Sequence, residues 1–569
     1  MSSASASPTL DQLLAPYMGQ GRTMLLPALH AVQQAQGHIG FEAATAIARA
    51  LDVPVADVFG VVEFYALFSA EPRGQHTIRV CHGPVCRAHG ADQVAQALSA
   101  HLGVAEGETT PDGQWTLERF PCLGLCEHAP AVLVDDRAVA PADPAHPEAV
   151  LHPTPEDEPK PVVGGSVRVL TAWEDPTQPR SLRAYRAAGG YRALEQNLPA
   201  EEIVARVKAS GLFGRGGAAF PTGLKWQFAA QAPAQPKYVV VNADESEPGT
   251  FKDRALLEAD PHAVLEGALL AARAIAAEKI YIYLRGEYGR AYRILQRALH
   301  EARDAGFVGP QAGVEVEIRR GAGAYVCGEE TALFESIEGK RGFPRLKPPY
   351  PTTHGLFGRP TVINNVETLA AVPFIVREGP EAYRAWGTDE SPGPKLFPVS
   401  GDVARPGVYE APFGITLGEL LELAGGPRGE VQAILLGGAA GFFVGPDALQ
   451  VPLTLEDLRA AGLALGSAAV MVFNTQRDLR QVLLDVAHFF AEESCGKCYP
   501  CQLGTQRQYE LLQRIFAGRA QPQDLALLDD VGWTMTDASL CGLGQTAANA
   551  VLSAKRLWPH LFEAGSEDA

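Results

Sequence analysis

The chain has 569 residues, 46% of them hydrophobic, and a formal net charge of −18; that length is too great for one core, and roughly three to five domains are expected. Such acidity argues against a nucleic-acid partner, whose phosphates call for clustered Lys and Arg, and no window approaches the ~18 uninterrupted apolar residues of a membrane span. The start, MSSASASPTLDQ, lacks the basic and apolar regions of a secretory leader, so a cytoplasmic chain without direct membrane insertion is expected.

Residues 8 to about 72 repeat apolar positions at i, i+3 and i+4, with breaks at Gly19–Gly21 and Pro54, which predicts several short helices. HTIRVC is a strand running straight into Cys81. The helix GADQVAQALSAHLG and strands near WTLERF and AVLVDD follow, and this order predicts a small α/β domain ending near 150. PADPAHPEAVLHPTPEDEPKP belongs to a Pro- and acid-rich stretch predicted to be an extended linker that buries little surface. From about 190 to 390, helices alternate with the near-continuous apolar strands KYVVVNA, KIYIYLR and VEVEIRR, the mark of a sheet covered on both faces. Residues near 395–470 read as a compact α+β module, and 476–565 as amphipathic helices.

The nine cysteines fall in two groups of four, with Cys327 alone, and in a reducing compartment they are not read as disulfides. In ESCGKCYPC, Cys495, Cys498 and Cys501 are spaced to hold three corners of one compact inorganic body, and Cys541 in SLCGLG closes it. Four thiolates are the ligand set of a [4Fe–4S] cluster. Structural zinc, the rival, prefers two C-x₂-C knuckles. Cys81 and Cys86 (CHGPVC) with Cys122 and Cys126 (CLGLC) make two pairs, which suit a [2Fe–2S] rhomb with two ligands per iron; zinc is again the rival, and C-x₄-C is not the redox dithiol spacing. Cys327 reads as a packed small thiol.

In GLFGRGGAAFPTGLKW, the glycines 214, 216, 217 and 223 make a loop whose amides could cradle a phosphate. Many such loops are only tight turns, and this one is not G-x-G-x-x-G. Asp244, Glu245 and Glu247 end an apolar strand, where ligand crevices of α/β sheets lie; a solvated turn is the plainer alternative. RRGAGAYVCGEE brings Tyr325, Glu329 and Glu330 to a comparable strand end. GKRGFPRLKPPYP and INNVET add Lys347, Tyr350, Asn364 and Asn365.

The stretches GRGGAAFPTGLKW, NADESEPGTFKDR, RGAGAYVCGEETAL, INNVETLA and ESCGKCYPC closely resemble the NADH-binding flavoprotein subunit of respiratory complex I and its relatives. Residues 1–150 resemble its 24-kDa-type partner subunit, so the whole resembles a fused diaphorase subunit. The resemblance implies a multidomain α/β and α+β chain: a helical domain (1–74), a thioredoxin-like [2Fe–2S] domain (75–150), a linker (151–189), a Rossmann-like FMN- and NADH-binding α/β domain (190–394), a ubiquitin-like β-grasp module (395–474) and a helical [4Fe–4S] domain (475–569). It places FMN against Gly214, Arg215, Gly216, Gly217, Lys225, Asn242, Asp244, Glu245, Tyr325, Gly328, Glu329, Asn364, Asn365 and Thr368. NAD(H) falls to Phe220, Phe228, Glu247, Glu330, Lys347 and Tyr350, with Glu247 and Glu330 orienting nucleotide and tuning flavin charge. Three departures stand out: Ala219 where relatives usually have Gly, Tyr350 for Phe, and Gln502 where Arg is common, which removes a positive charge near the cluster.

The implied activity is reversible hydride exchange between NAD(H) and FMN, with single electrons passed on through the clusters to another subunit. The carboxy-terminal DASLCGLGQTAAN and the four amino-terminal cysteines favour a molybdenum or tungsten formate dehydrogenase catalytic subunit as partner. Subunits of an NAD-reducing hydrogenase come next, and complex I third. A zinc-stabilised scaffold without cofactors and a free-standing NADH oxidase are the readings from other classes.

Overall fold

The computed structural model describes residues 8–173 and 175–563. The amino-terminal helices Leu25–Gln36, Phe41–Leu51 and Val55–Val62 bury one apolar face each, including Leu25, Leu29, Ile47 and Val58. Gly37 (φ +77°) and Asp52 (φ +54°) end the first two of these helices in left-handed geometry, and Pro54 sits at the N-cap of the third. Strands β1 (His76–Cys81), β2 (Trp115–Phe120), β3 (Val132–Val134) and β4 (Arg137–Val139) follow in the spatial order β2-β1-β3-β4. β1 runs parallel to β2 and antiparallel to β3.

The predicted linker is more structured than its composition suggested. Within it, β5 (Val163–Gly165) pairs with a strand of the β-grasp sheet, and Glu158, Leu170 and Thr171 are buried. The cause lies elsewhere in the chain. Glu410, fully buried, accepts hydrogen bonds from the amides of Val169, Leu170 and Thr171 at 2.7–3.2 Å, so the segment satisfies a carboxylate that would otherwise be stranded.

In the central domain β6 (Tyr238–Ala243), β7 (Lys279–Leu284), β8 (Glu315–Arg320) and β9 (Thr361–Asn365) form a parallel sheet ordered β8-β7-β6-β9. β6 and β7 are buried almost throughout, as strands covered on both faces must be. The strand order reverses between β6 and β9, and ligand crevices open beyond the carboxyl ends of strands at such a switch point. The register there sets Asn242 beside Asn365.

β10 (Pro394–Gly401), β11 (Gly407–Pro412), β12 (Val431–Leu436), β13 (Phe442–Val444) and β14 (Val470–Asn474) build the third sheet, ordered β13-β12-β14-β10-β11-β5. It has a core of its own, which includes Phe213 from the glycine loop. The helices Leu479–Glu493, Tyr499–Phe516, Asp524–Ala538 and Asn549–Leu557 close the chain. A single apolar core runs from the amino-terminal helices through the central sheet into these last helices, so the units are packed into one body.

Candidate functional site

The glycine loop folds back on itself: Gly214 N–H donates to Phe220 O at 2.9 Å and Thr222 N–H to Leu212 O at 2.9 Å. It presses against the end of β9, where a Cβ on Gly216 would stand 3.2 Å from the Asn365 Cβ. Gly217 (φ +121°) needs its glycine, and Ala219 (φ +51°) occupies left-handed space that favours glycine. Gly223 lets the helix Thr222–Gln231 sit on Lys208, whose Cα lies 2.5 Å from any added Cβ.

Several predicted ligand residues already hold the site together. Asn365 caps the helix Val366–Glu378 by accepting from Thr368 N at 3.0 Å, and its Nδ2 donates to Asp253 at 3.1 Å. Glu329 caps the helix Glu330–Ile337 through the amides of Thr331 and Ala332. Asn242 Nδ2 donates to Gly328 O at 2.8 Å, tying the end of β6 to the second glycine turn. Asn364 Oδ1 accepts from Trp226 Nε1 at 2.8 Å, and Lys225 Nζ donates to Ile363 O at 3.0 Å.

Two predicted FMN-side residues have their side chains engaged by other parts of the chain. The Arg215 guanidinium is buried over Phe213 and Phe413 (4.1 and 4.7 Å to the ring centres) and donates to Tyr383 OH and Pro392 O. Its backbone N–H meets Thr368 Oγ1 at 2.8 Å. Arg215 is therefore an interdomain anchor. Glu245 accepts from the amides of Asp253 (2.8 Å) and Arg254 (2.9 Å), capping the helix Lys252–Ala259. Its Oε2 also accepts from Tyr288 Oη at 3.2 Å.

Burial pushes Asp244 up to about 8 and Glu247 up to about 7. Ser246 Oγ donates to Asp244, and Ala440 N–H donates to Glu247 at 2.8 Å from a β-grasp turn. Lys347 Nζ bridges Glu329 (2.9 Å) and Glu330 (2.6 Å). Phe220, Phe228 and Tyr350 keep 42%, 45% and 59% of their surface exposed, which leaves ring surface open to a planar group. Cys327 is buried against Tyr65 of the amino-terminal helical unit, as a packed thiol.

A further set went unread in the sequence although NADESEPGTFKDR contains half of it. Lys252, Asp253, Glu367 and Lys395 form a buried charge network, with Lys395 Nζ to Glu367 at 2.7 Å and Lys252 Nζ to Glu367 at 3.1 Å and to Asp253 at 2.9 Å. It joins the β-grasp strand to the residues under Asn365.

Cys495, Cys498, Cys501 and Cys541 line one cavity with Ser494, Pro344, Leu540 and Leu543. Cys498 and Cys541 stand at the N-caps of the helices Tyr499–Phe516 and Gly542–Thr546. Gly544 is required by packing, since a Cβ would fall 2.8 Å from Cys501 Cβ. At the other end Cys81, Cys86, Cys122 and Cys126 are all buried, and Gly124 N–H donates to Cys122 Sγ at 3.4 Å. Among the described residues, no three His, Cys, Asp or Glu side chains converge as a single metal ion requires. Each set supplies four thiols, the donor set of an iron–sulfur cluster.

Family models match in series: a thioredoxin-like [2Fe-2S] ferredoxin over residues 10–154, a Nuo51 FMN-binding domain over 207–374, an SLBB domain over 396–438, and the NADH-ubiquinone oxidoreductase-F iron-sulfur binding region over 481–565. The NAD-reducing hydrogenase HoxS subunit alpha of Cupriavidus necator is 36% identical over 561 residues, covering 95% of this chain and 92% of that one. The chain belongs to the fused NADH-binding diaphorase subunits. This diaphorase is also 46% identical over 393 residues to the NADH-quinone oxidoreductase F subunit of Aquifex aeolicus, a match that spans 67% of the diaphorase and 91% of that protein. A chain in the crystal structure of an air-oxidized NAD+-reducing [NiFe]-hydrogenase superposes with a TM-score of 0.86 at 37% identity, over 96% of this chain and 94% of that one. The diaphorase is a flavin-dependent oxidoreductase module whose cofactors are FMN, NAD(H), a [2Fe–2S] and a [4Fe–4S] cluster. No helix among the described residues is long and apolar enough to cross a membrane.

Proposed function

We propose that this diaphorase exchanges hydride with NAD(H) at the crevice between β6 and β9 and hands electrons to a separate subunit that carries the second substrate. The observation that carries the reading is the convergence of three sites. Tyr325, in the flavin-side turn, donates its amide to Glu493 at 2.8 Å, two residues before Cys495. On the opposite flank, Arg285 after β7 bonds the carbonyl of Cys122 at 2.5 Å. The flavin-side turns are thus hydrogen-bonded to the chain segments that carry both cysteine sets.

FMN bound there would supply two-electron acceptance and one-electron release, chemistry that belongs to the cofactor. The chain's own part is placement. Gly214, Gly216 and Gly217 admit a close approach of backbone to phosphate; Asn242, Asp244 and Asn364 face its polar edge. Phe220, Phe228 and Tyr350 stack on the nucleotide, while Lys347 is held for its phosphates by Glu329 and Glu330. Glu247 and Glu330 orient the nucleotide and set the local charge.

The partner is a hydrogenase-type or formate dehydrogenase-type catalytic subunit in the cytoplasm. End-to-end similarity to the HoxS subunit and to the hydrogenase chain supports the first more strongly than the motif features support the second. Anaerobic NADH titration of the full chain, with flavin and iron counts and EPR spectra, tests the core reading. Bleaching of one flavin and about six irons in two cluster types are expected; an iron-free, flavin-free protein prepared without oxygen would overturn it. Co-purification, followed by NAD+ reduction with dihydrogen or with formate, decides the partner.

A further inference from the structure

We propose that Arg285 sets the redox poise of the amino-terminal cluster from across the domain boundary, by holding a cation and a fixed hydrogen-bond geometry against its ligand loop. This rests on the reading that Cys81, Cys86, Cys122 and Cys126 carry the [2Fe–2S] group. Arg285 follows β7 in the flavin domain and is 2% exposed. Its Nη1 donates to Glu245 O at 2.6 Å, and its Nη2 donates to Cys122 O at 2.5 Å and to Glu287 Oε1 at 2.8 Å. One side chain therefore grips both the end of the flavin-side strand region and a cluster ligand.

The contact is close-packed. A Cβ on Gly124 would lie 2.9 Å from Arg285 Nη1 and 2.4 Å from Tyr288 OH, so only glycine lets the ligand loop descend onto the guanidinium. Arg254, also 2% exposed, donates from Nε to Gly124 O at 3.2 Å and pairs with Glu127. With the carbonyls of residues 122 and 124 engaged by these two arginines, the Gly124 amide is left to face the Cys122 sulfur. Donors to cluster sulfur and nearby positive charge both favour the reduced form, which carries one more negative charge than the oxidised form, and so raise the midpoint potential. The dry surroundings leave the charge weakly screened. Arg285 is ion-paired with Glu287 at 2.8 Å, so the field is that of an oriented pair whose positive end lies against the Cys122 carbonyl; among the described residues, Arg285 Nε and Glu287 Oε2 are buried without a hydrogen-bond partner. A buried pair with unmet polar atoms is a poor stability device, which points to an electrostatic use.

The test is an EPR-monitored redox titration of the full chain, with the [4Fe–4S] signal as the internal reference. Arg285→Met should move the [2Fe–2S] midpoint to more negative potential, Arg285→Lys should largely restore it, and Glu287→Gln should move it the other way. The [4Fe–4S] midpoint should stay in place in all three. A purely structural role would not give shifts of opposite sign for the two members of one ion pair. Unmoved midpoints, or shifts of the same sign in Arg285→Met and Glu287→Gln, would overturn the proposal. If Arg285→Met does not fold, Glu287→Gln, which keeps its hydrogen bond, decides alone. Absence of any [2Fe–2S] signal in the unmutated chain would instead refute the ligand assignment.

Discussion

Ala219 is the residue at which this chain's sequence and its backbone disagree. Its φ is +51°, a conformation that favours glycine and costs a Cβ-bearing residue about 1–2 kcal/mol. Glycine would lose part of that gain through its freer unfolded state, so Ala219→Gly should stabilise the flavin-loaded chain by about 0.5–1 kcal/mol. Urea unfolding followed by flavin release measures it, and a lower midpoint would contradict the strain argument. Phe228, 45% exposed, is proposed to stack on the nucleotide. Aromatic stacking is worth about 0.5–1.5 kcal/mol beyond burial, so Phe228→Ala should raise KM for NADH about three- to tenfold with kcat retained. Steady-state kinetics with an artificial acceptor decide it, and an equal fall in kcat with unchanged KM would remove Phe228 from the nucleotide site.

At the scale of elements, β5 shows how a segment's structure can be set by a distant residue. Glu410 is 0% exposed and serves three backbone amides and the Thr171 hydroxyl. Each donor left unpaired in a buried place costs about 1–3 kcal/mol, so Glu410→Ala should cost on the order of 3 kcal/mol or more and free residues 163–171. Limited proteolysis reads this directly: new cleavage in that stretch is expected, and an unchanged digest would mean that β5 is held by other contacts. The same example explains what the sequence could reveal. HTIRVC, KYVVVNA, KIYIYLR and VEVEIRR were legible as strands because burial on both faces writes itself as an apolar run. The cysteine spacings were legible because ligand geometry is local. Val163–Gly165 was not legible, because its partner lies some 240 residues away in β11 and its own composition is that of a linker. INNVET was read for its two amides and missed as the strand β9. Arg254 and Arg285 gave no signal either, since the atoms that define them, the carbonyls of Gly124 and Cys122, are 130 and 163 residues distant. The capping duties of Glu245, Glu329 and Asn365 were hidden for the same reason: a ligand motif and an N-cap draw on the same residue types.

On the scale of the whole molecule, the apolar core shared by the units is supplemented by charged side chains at their boundaries, among them a set around Asp402. This β-grasp carboxylate takes both arms of Arg477 at 2.6 and 2.9 Å and faces His89 of the amino-terminal unit at 3.4 Å. Arg477 in turn donates to the carbonyl of Ala88. Burial alone would raise the Asp402 pKa, but the hydrogen bonds from His89, Arg477 and the Asn474 amide outweigh it and hold the carboxyl well below the usual range. The sign of the pH effect follows. A carboxyl with a depressed folded value contributes stability that is full above its unfolded value near 4 and is lost as pH falls below that toward the folded value. Asp402→Asn removes the charge while keeping the side chain's shape and an acceptor, so at pH 7 it should destabilise the chain by about 1.5–3 kcal/mol, the worth of hydrogen bonds to a charged group. That deficit should shrink steadily once the pH drops below about 4, because Asp402 of the unfolded chain then binds a proton that the folded carboxylate does not. Urea unfolding of both proteins from pH 7 to pH 3, with hydrogen exchange at residues 84–90 as the local probe, tests the claim. A deficit of the same size at both ends of that range would mean that Asp402 acts through shape and packing and not through its charge.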